Sequence, residues 1–563
     1  MKKLFYGLGL LSVLSLSACS EEQKQETADS KVSQSIETPF FWENANVYFL
    51  LTDRFQNGDK SNDLNFERTK ETGPLRGFMG GDIKGITQKI EEGYFTDLGI
   101  NAIWFTPVVE QVHGSVDEGT GETYAYHGYW AKDWTALDPN FGTMTELEEL
   151  IEKAHAKGIR VLLDVVINHT GPVTEQDPVY PSDWVRIKPK CAYNSYETYV
   201  DCTLVENLPD VLTNSDQEVA LPPHLVEKWK KEGRLDEEVA SLNAFFERTG
   251  LPRAPRFYIM KWLSDYVRKY GVDGFRVDTV KHTEAGIWEE LRKVVVEAFA
   301  DWKKEHPAKK LDDNDFYMVG EVYNYVISSG RDFSYDGDTT VNFFDNGFKS
   351  LINFEFKYDA QKPYEELFAK YDAQLSGVLS DKSVMNYLTS HDDGAPFDPD
   401  RSRAMEAATK LLLTPGATQI YYGDETIRPL VYEGAVGDAN LRTFMNWEEL
   451  SENVERGGHK AQDVFNHYAR LGKFRIAHPA VGAGRHQMIS ESPYVFSRKL
   501  DKDGFQDQVV VALDLTEDQK EISVSDVFQE GDKVMDYYSG QTATVKDGKV
   551  AIKAKNGILL IGK

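Results

Sequence analysis

The chain has 563 residues, enough for one large domain with smaller ones attached, and its 41% hydrophobic and 27% charged content is that of an ordinary folded protein. A net charge of −28 repels phosphate backbones and argues against nucleic acid as a partner. Aromatic residues make up 12%; they serve either a large core or platforms for a flat neutral ligand such as a sugar, and composition does not separate the two.

Residues 1–18 read as a targeting segment, outside the fold. Lys2 and Lys3 give a basic start, and Leu4 to Leu16 is apolar but too short to span a bilayer. Leu16-Ser17-Ala18-Cys19 resembles the end of a bacterial lipoprotein signal. The resemblance implies lipidation of Cys19 and an exported chain anchored on the periplasmic or cell-surface face of a membrane; an ordinary secretion signal is the alternative. Residues 19–39 are rich in Glu, Gln, Ser and Thr and read as a flexible tether.

From residue 40, apolar runs of strand length alternate with amphipathic stretches. Strands are predicted at Asn46–Leu51, Asn101–Thr106, Arg160–Val166, Asp273–Val277, Phe316–Val319, Thr339–Phe343, Val384–Leu388 and Thr418–Tyr422. Helices are predicted at Ile83–Leu98, at Thr145–Lys157 behind a capping box from Thr143 to Glu146, and at Phe257–Tyr270. Such alternation predicts an α/β fold, a (β/α)8 TIM barrel. The stretch between the third and fourth strands is too long for one helix. Residues 40–167 and 253–478 are therefore assigned to the barrel and 168–252 to an inserted subdomain. After the barrel, short alternating runs predict a C-terminal antiparallel β-sandwich domain over 479–563. Cys191 and Cys202 lie in the insertion. In an exported chain they are expected to form a short-loop disulfide, free thiols being the alternative; no Cys or His at ligand spacing beside them suggests a metal.

Three carboxylates stand just beyond predicted strands: Asp278 in Gly274-Phe275-Arg276-Val277-Asp278, Glu321 in Val319-Gly320-Glu321-Val322, and Asp392 in Thr389-Ser390-His391-Asp392. Functional groups at successive strand ends are the barrel pattern, and glycosidic cleavage commonly needs a carboxylate nucleophile and a carboxylic acid. Arg276 lies two residues before Asp278, so both project to one side of the strand and the guanidinium keeps the carboxylate ionised. Glu321, as an acid, needs surroundings that raise its pKa.

These motifs, with Asp164-Val165-Val166-Ile167-Asn168-His169, occur in an order that resembles glycoside hydrolase family 13, the α-amylase family. Gly99 to Pro107, Leu208-Pro209-Asp210 and Gly416 to Glu425 are similar to further segments of it. The resemblance covers residues 40–563 and implies a barrel, an insertion and a terminal β domain. It implies that Asp278 is the nucleophile, Glu321 the acid/base and Asp392 the group that binds ring hydroxyls and stabilises the transition state. It implies that His127, His169 and His391 donate to hydroxyls of the sugar being cleaved and that Tyr129 stacks on it. Lys281 and His282 are implied on the leaving-group side, and Asp438 and Arg442 around the next sugar outward.

The resemblance further implies calcium, which takes oxygen ligands. Asn168, Asp210 and the carbonyl of His282 match one site. Asn57, Asp59, Asn62 and Asp63, with Gly80 and Asp82, resemble a second loop, found in cyclodextrin glycosyltransferases. The activity so implied is retaining hydrolysis of α-1,4-glucosidic bonds in starch, glycogen or maltooligosaccharides by double displacement, by a chain expected to be a monomer. The rivals are a cyclomaltodextrinase, maltogenic or transglycosylating enzyme, and an inactive glucan-binding lipoprotein. Against transfer stands a chain with one small β domain after the barrel.

Overall fold

The computed structural model describes residues 38–563 except 336, 338 and 517–520. The leader, most of the tether and Cys19 lie outside the described residues.

Eight parallel strands close a barrel. They are β1 (Asn46–Leu50), β2 (Ala102–Phe105), β3 (Arg160–Val165), β4 (Gly274–Val277), β5 (Tyr317–Gly320), β6 (Ser350–Asn353), β7 (Ser383–Tyr387) and β8 (Ala417–Tyr421). Every residue of these strands is buried, as in parallel sheets covered on both faces. The interior holds aromatic layers. Phe49 and Trp104, partners in the β1–β2 register, stack with ring centroids 3.7 Å apart. Such a pair adds about 0.5–1.5 kcal/mol beyond its area.

One strand is not where the sequence placed it. Thr340–Val341 pairs antiparallel with Phe333–Ser334 in a surface hairpin, and the sixth barrel strand is Ser350–Asn353. The Thr340 run alternates as a half-exposed strand does. Ser350 and Asn353 are polar at both ends of the true strand yet fully buried, and Asn353 Nδ2 satisfies itself on Asn386 Oδ1 and Tyr371 Oη at 2.9 and 2.8 Å. The predicted Ile83–Leu98 helix is two helices, because Gly93 turns left-handed at φ +85° between α1 (Ile83–Glu91) and a short second piece, Tyr94–Leu98. The capping box before α2 (Met144–Ala156) is present in both directions: Thr143 Oγ1 accepts from Glu146 N, and Glu146 Oε2 accepts from Thr143 N.

Between β3 and β4 the chain forms a small hairpin, Val185–Arg186 with Asp210–Val211, and a disulfide joins Cys191 to Cys202. Two helices follow, α3 (Pro223–Glu232) and α4 (Leu235–Thr249), before α5 (Pro255–Tyr270). Lys228 of α3 reaches buried Asp133 and Glu110 at 2.6 and 2.7 Å, and Trp229 packs edge-on against Trp262 of α5. Beyond the barrel, β9 (Arg485–Ser490), β10 (Tyr494–Lys502), β11 (Phe505–Leu513), β12 (Lys533–Asp536), β13 (Thr542–Thr544) and β14 (Leu559–Gly562) form an antiparallel sheet in the order β9-β10-β11-β14-β12-β13, beside the two-stranded pair Glu521–Ser523 with Lys549–Ala551.

The seam between barrel and sheet is built on two fully buried arginines that face carbonyls rather than carboxylates. Arg475, on α7 (Ala461–Ala477), donates to Leu412 O and Thr414 O at 3.0 Å, to Asn44 O at 3.2 Å and to Gly416 O. Arg498, on β10, donates to Leu413 O at 3.2 Å and Val481 O at 2.7 Å. Together they finish the C-terminal end of α6 (Ala404–Leu413), whose last carbonyls have no helical partner. Burial, and for Arg475 the neighbouring guanidinium of Arg498, brings their pKa values down to about 9 and about 10.

Candidate active site

The strand ends bring the three carboxylates to one end of the barrel. Asp278 follows β4 directly, Glu321 follows β5 directly, and Asp392 lies in the loop after β7. This is the C-terminal face, where barrel enzymes hold their sites.

At the centre sits Arg276, 1% exposed. Its Nη1 donates to Asp278 Oδ1 at 2.8 Å and to Asp164 Oδ1 at 2.9 Å, and its Nη2 lies 3.9 Å from Glu321 Oε2. Asp164 opens the Asp164–His169 motif, and sequence reading gives it no role. It is the direct partner of Arg276 in the β3–β4 register, a relationship that appears only once strands are aligned. Its other oxygen accepts from Trp104 Nε1 at 2.9 Å and Tyr129 Oη at 2.8 Å. Burial raises Asp164 to about 6 against the pull of Arg276.

The carboxyls are held in different states. Burial raises Glu321 to about 8, with the nearby charges of Asp278 and Asp392 adding to it and Arg276 opposing. Asp392 is at the open side, 35% of its side chain exposed. Its partial burial works against the charge, but His391, the Ser390 hydroxyl at 2.8 Å, Arg276 and Arg442 outweigh it and keep the group below the usual range.

The predicted sugar ligands surround this centre. Burial and the charge of Arg442 keep His127 neutral. His127 Nδ1 accepts the Tyr129 amide at 3.0 Å, so its proton is on Nε2. Burial brings His391 down to about 3, and its Nδ1 has no hydrogen-bond partner among the described residues. The Tyr129 ring lies 5.4 Å from His391 and 5.9 Å from His127, near-parallel to both. His169 differs, because both its nitrogens are engaged within the protein, by Tyr129 O at 3.1 Å and Asn168 Oδ1 at 3.2 Å. Asp438 and Arg442 form an ion pair at 2.6 Å. Arg442 also holds His391 O at 2.9 Å, and Arg76, which sequence reading missed, lies 3.6 Å from Asp438. Lys281 and His282 follow on a 3-10 turn, and Lys281 Nζ donates to Tyr323 O at 3.1 Å, two residues past Glu321.

Both oxygen-rich clusters are assembled. Asn168 Nδ2 donates to Asp210 Oδ1 at 3.0 Å and to His282 O at 2.9 Å, while buried Asp210 Oδ2 has no hydrogen bond among the described residues and lies 2.9 Å from Arg186 Nε. In the other cluster, Asn57 Nδ2 donates to Asp63 Oδ1 at 2.8 Å, and Asn57 Oδ1 and Asn62 Oδ1 are buried without hydrogen-bond partners among the described residues. A Cβ on Gly80 would come within 2.4 Å of Asn57 Nδ2 and 2.6 Å of Asp63 Oδ1. Asp59 and Asp82 are otherwise occupied. Asp59 holds Ser61 and Lys84, and Asp82 caps α1 through Gly85 N and accepts from Gly58 N and Asp59 N.

A family model described as the alpha amylase catalytic domain matches residues 49–484. The chain belongs to the α-amylase family. It is a glycoside hydrolase by that membership. The periplasmic alpha-amylase of Escherichia coli (strain K12) is 35% identical over 519 residues, spanning 82% of this chain and 71% of that protein. The cyclomaltodextrin glucanotransferase of Bacillus licheniformis is 26% identical over 470 residues, and this α-amylase-family chain spans 57% of its length. Among solved structures, an Anoxybacillus alpha-amylase superposes with a TM-score of 0.63 at 21% identity, covering 93% of this chain and 99% of its own. A cyclomaltodextrin glucanotransferase with a three-domain ABC distribution gives a TM-score of 0.59 at 21% identity, covering 92% and 98%. That protein is titled a transferase and has three domains, so domain number does not separate hydrolysis from transfer.

Proposed function

We propose that this α-amylase-family enzyme hydrolyses α-1,4-glucosidic bonds of starch-like chains with retention of configuration. One observation carries the reading: a single buried guanidinium faces both Asp278 and Glu321, close to the first and 3.9 Å from the second. Arg276 Nη1 donates to Asp278 Oδ1 and orients that carboxylate for attack on the anomeric carbon. Burial keeps Glu321 protonated at neutral pH, suited to protonating the departing oxygen. The bond to the leaving glucose breaks as the Asp278 ester forms. Glu321, now a carboxylate, takes a proton from water, which attacks the same carbon and releases Asp278. Asp392, with His127 and His391 as neutral donors, would hold the ring hydroxyls, with Tyr129 beneath. His169 would brace Tyr129 and Asn168. Asp438 and Arg442 would meet the next sugar outward.

Calcium fits both clusters unequally. Asn168, Asp210 and His282 O converge, with Asp210 Oδ2 facing Arg186 Nε at 2.9 Å rather than a hydrogen-bond donor among the described residues. Asn57, Asn62 and Asp63 would serve the second site around Gly80, with Asp59 and Asp82 shaping the loop. The ion would tie the insertion to the turn after Asp278. Among the described residues no helix is long and apolar enough to cross a membrane. Export and anchoring through Cys19 are part of this proposal, supported by the leader sequence and by the periplasmic relative.

Anomeric analysis tests the chemistry. Product released from maltoheptaose in the first minutes should carry the α anomer by NMR; β product would overturn double displacement. Product profiles on starch, pullulan and cyclodextrins then separate hydrolysis from the cyclomaltodextrinase and transfer alternatives.

A further inference from the structure

The insertion sends one element to the leaving-group side of the site. The loop closed by Cys191–Cys202 carries Tyr193, Tyr196 and Tyr199, the last on a four-residue helix, Glu197–Val200. His282 Nδ1 donates to Tyr199 O at 3.2 Å, and the two rings lie 5.9 Å apart at 20°. Lys281 Nζ stands 5.3 Å from the Tyr199 ring, 5.3 Å from Tyr323 and 5.5 Å from Phe333, an aromatic cage around one ammonium. Tyr335 supports it from behind, edge-on to Tyr196 and Tyr199 at 5.1 Å, with its hydroxyl on Lys281 O at 2.9 Å.

Lys281 Nζ donates to Tyr323 O at 3.1 Å, and an ammonium has three N–H groups. The cage therefore aims a fixed charge, with donors to spare, beside the proposed proton donor. Its outer wall belongs to a helix of one turn, too short to persist by itself. The turn is held by hydrogen bonds that Thr198 Oγ1 accepts from Asn194 N and Ser195 N and that His282 donates to Tyr199 O, and the covalent closure of the loop around it removes open conformations.

We infer that the disulfide-closed loop is a specificity element for the sugars beyond the scissile bond. Tyr199, held by Cys191–Cys202, positions Lys281 to bind the hydroxyls of the leaving glucan, and reduction of the disulfide weakens that side selectively. In the reduction, a dithiol gives two electrons and two protons to the sulfur pair, leaving two thiols and its own cyclic disulfide. The inference rests on Glu321 being the proton donor, since that fixes which side the leaving group occupies.

The experiment compares maltoheptaose with α-maltosyl fluoride, whose leaving group fills no sugar site beyond the bond. The full chain is assayed oxidised, after dithiothreitol, and as the Cys191→Ser/Cys202→Ser double variant. Losing the disulfide should lower kcat/KM on maltoheptaose about tenfold, mainly through KM, the scale of one desolvated cation–aromatic contact. Fluoride turnover should stay within threefold. Tyr199→Ala with the disulfide intact should reproduce the maltoheptaose loss, and Tyr199→Phe should restore it. Equal losses on both substrates would mean that the loop acts through the fold at large and would overturn the inference. No loss on either, or a loss with the cysteine variants that Tyr199→Ala lacks, would overturn it too. Failure of the oxidised parent itself to turn over the fluoride would instead count against the catalytic reading.

Discussion

The backbone amide of Thr279 donates to Oε2 of Glu321 at 2.8 Å. Thr279 does so from a left-handed conformation, φ +50° and ψ +36°, unusual for a β-branched residue. Strain of this kind costs on the order of 1–3 kcal/mol and persists only where the surroundings enforce it. The bond ties one oxygen of the acid and leaves the other to carry the proton. The residue after the proposed nucleophile thereby sets the orientation of the proposed acid.

Glu321→Gln should therefore separate substrates by leaving group. Fluoride leaves with little acid help, and an alcohol needs much. Starch cleavage should fall about 10²–10⁴-fold more than formation of the covalent intermediate from an α-glycosyl fluoride. Rapid-quench measurement of both checks it; equal losses in a normally melting protein would remove Glu321 from the role.

The pH profile follows from the raised acid. The donor must be protonated, so kcat/KM on maltooligosaccharides should decline as pH rises through about 8. Stability has a matching sign. Between the ordinary glutamate value and about 8, the folded chain binds a proton at Glu321 that the unfolded chain has lost, so Glu321 costs stability progressively as pH rises there. The melting temperature of Glu321→Gln relative to the parent should increase from pH 5 to pH 8, and a constant difference would contradict a buried, protonated Glu321.

Much of this was legible in the sequence, for identifiable reasons. Seven barrel strands are continuous buried runs. The eighth, Ser350–Asn353, hid because both its ends are polar, and the buried amide of Asn353 is satisfied by Asn386 and Tyr371, side chains far along the chain. The carboxylates announced themselves by standing after strands. The support of Arg276 by Asp164 depends on register, and the aromatic cage joins Tyr199 to Lys281 across 82 positions of sequence. Neither relationship leaves a local pattern.

Asp164→Asn tests that support. It removes one carboxylate from a buried guanidinium while keeping the shape, and breaking such a pair costs about 3–5 kcal/mol. Chemical denaturation should show a loss of that order, with kcat falling as Arg276 is left to shift on Asp278. Unchanged stability would mean that Arg276 has sufficient partners without Asp164.

Chelation should lower the melting temperature, because an ion bound only by the folded state adds stability. Asp210→Asn should shrink the response to EDTA. Calorimetry with and without calcium decides; identical melts, together with metal analysis showing no calcium, would remove both proposed sites.

Cys19→Ser should release the protein into the soluble exported fraction or block its processing, since stable anchoring takes more than one acyl chain and a lipoprotein cysteine carries several. Fractionation with N-terminal sequencing checks it. A parent protein already soluble and beginning elsewhere than residue 19 would rule out the lipid anchor.

The two arginines at the seam restrict how this enzyme could be recombined. Arg475 comes with the barrel and Arg498 with the terminal sheet, yet both finish the same helix end. A cut at residue 484 would keep one guanidinium and discard the other, exposing the Leu413 carbonyl in a site shaped around charge. A foreign sheet grafted there would need an arginine at the equivalent point of its second strand. The C-terminal sheet and the barrel of this chain thus share one helix end, and chimaeras of this enzyme that respect only the visible domain border should fold poorly unless they carry that residue across.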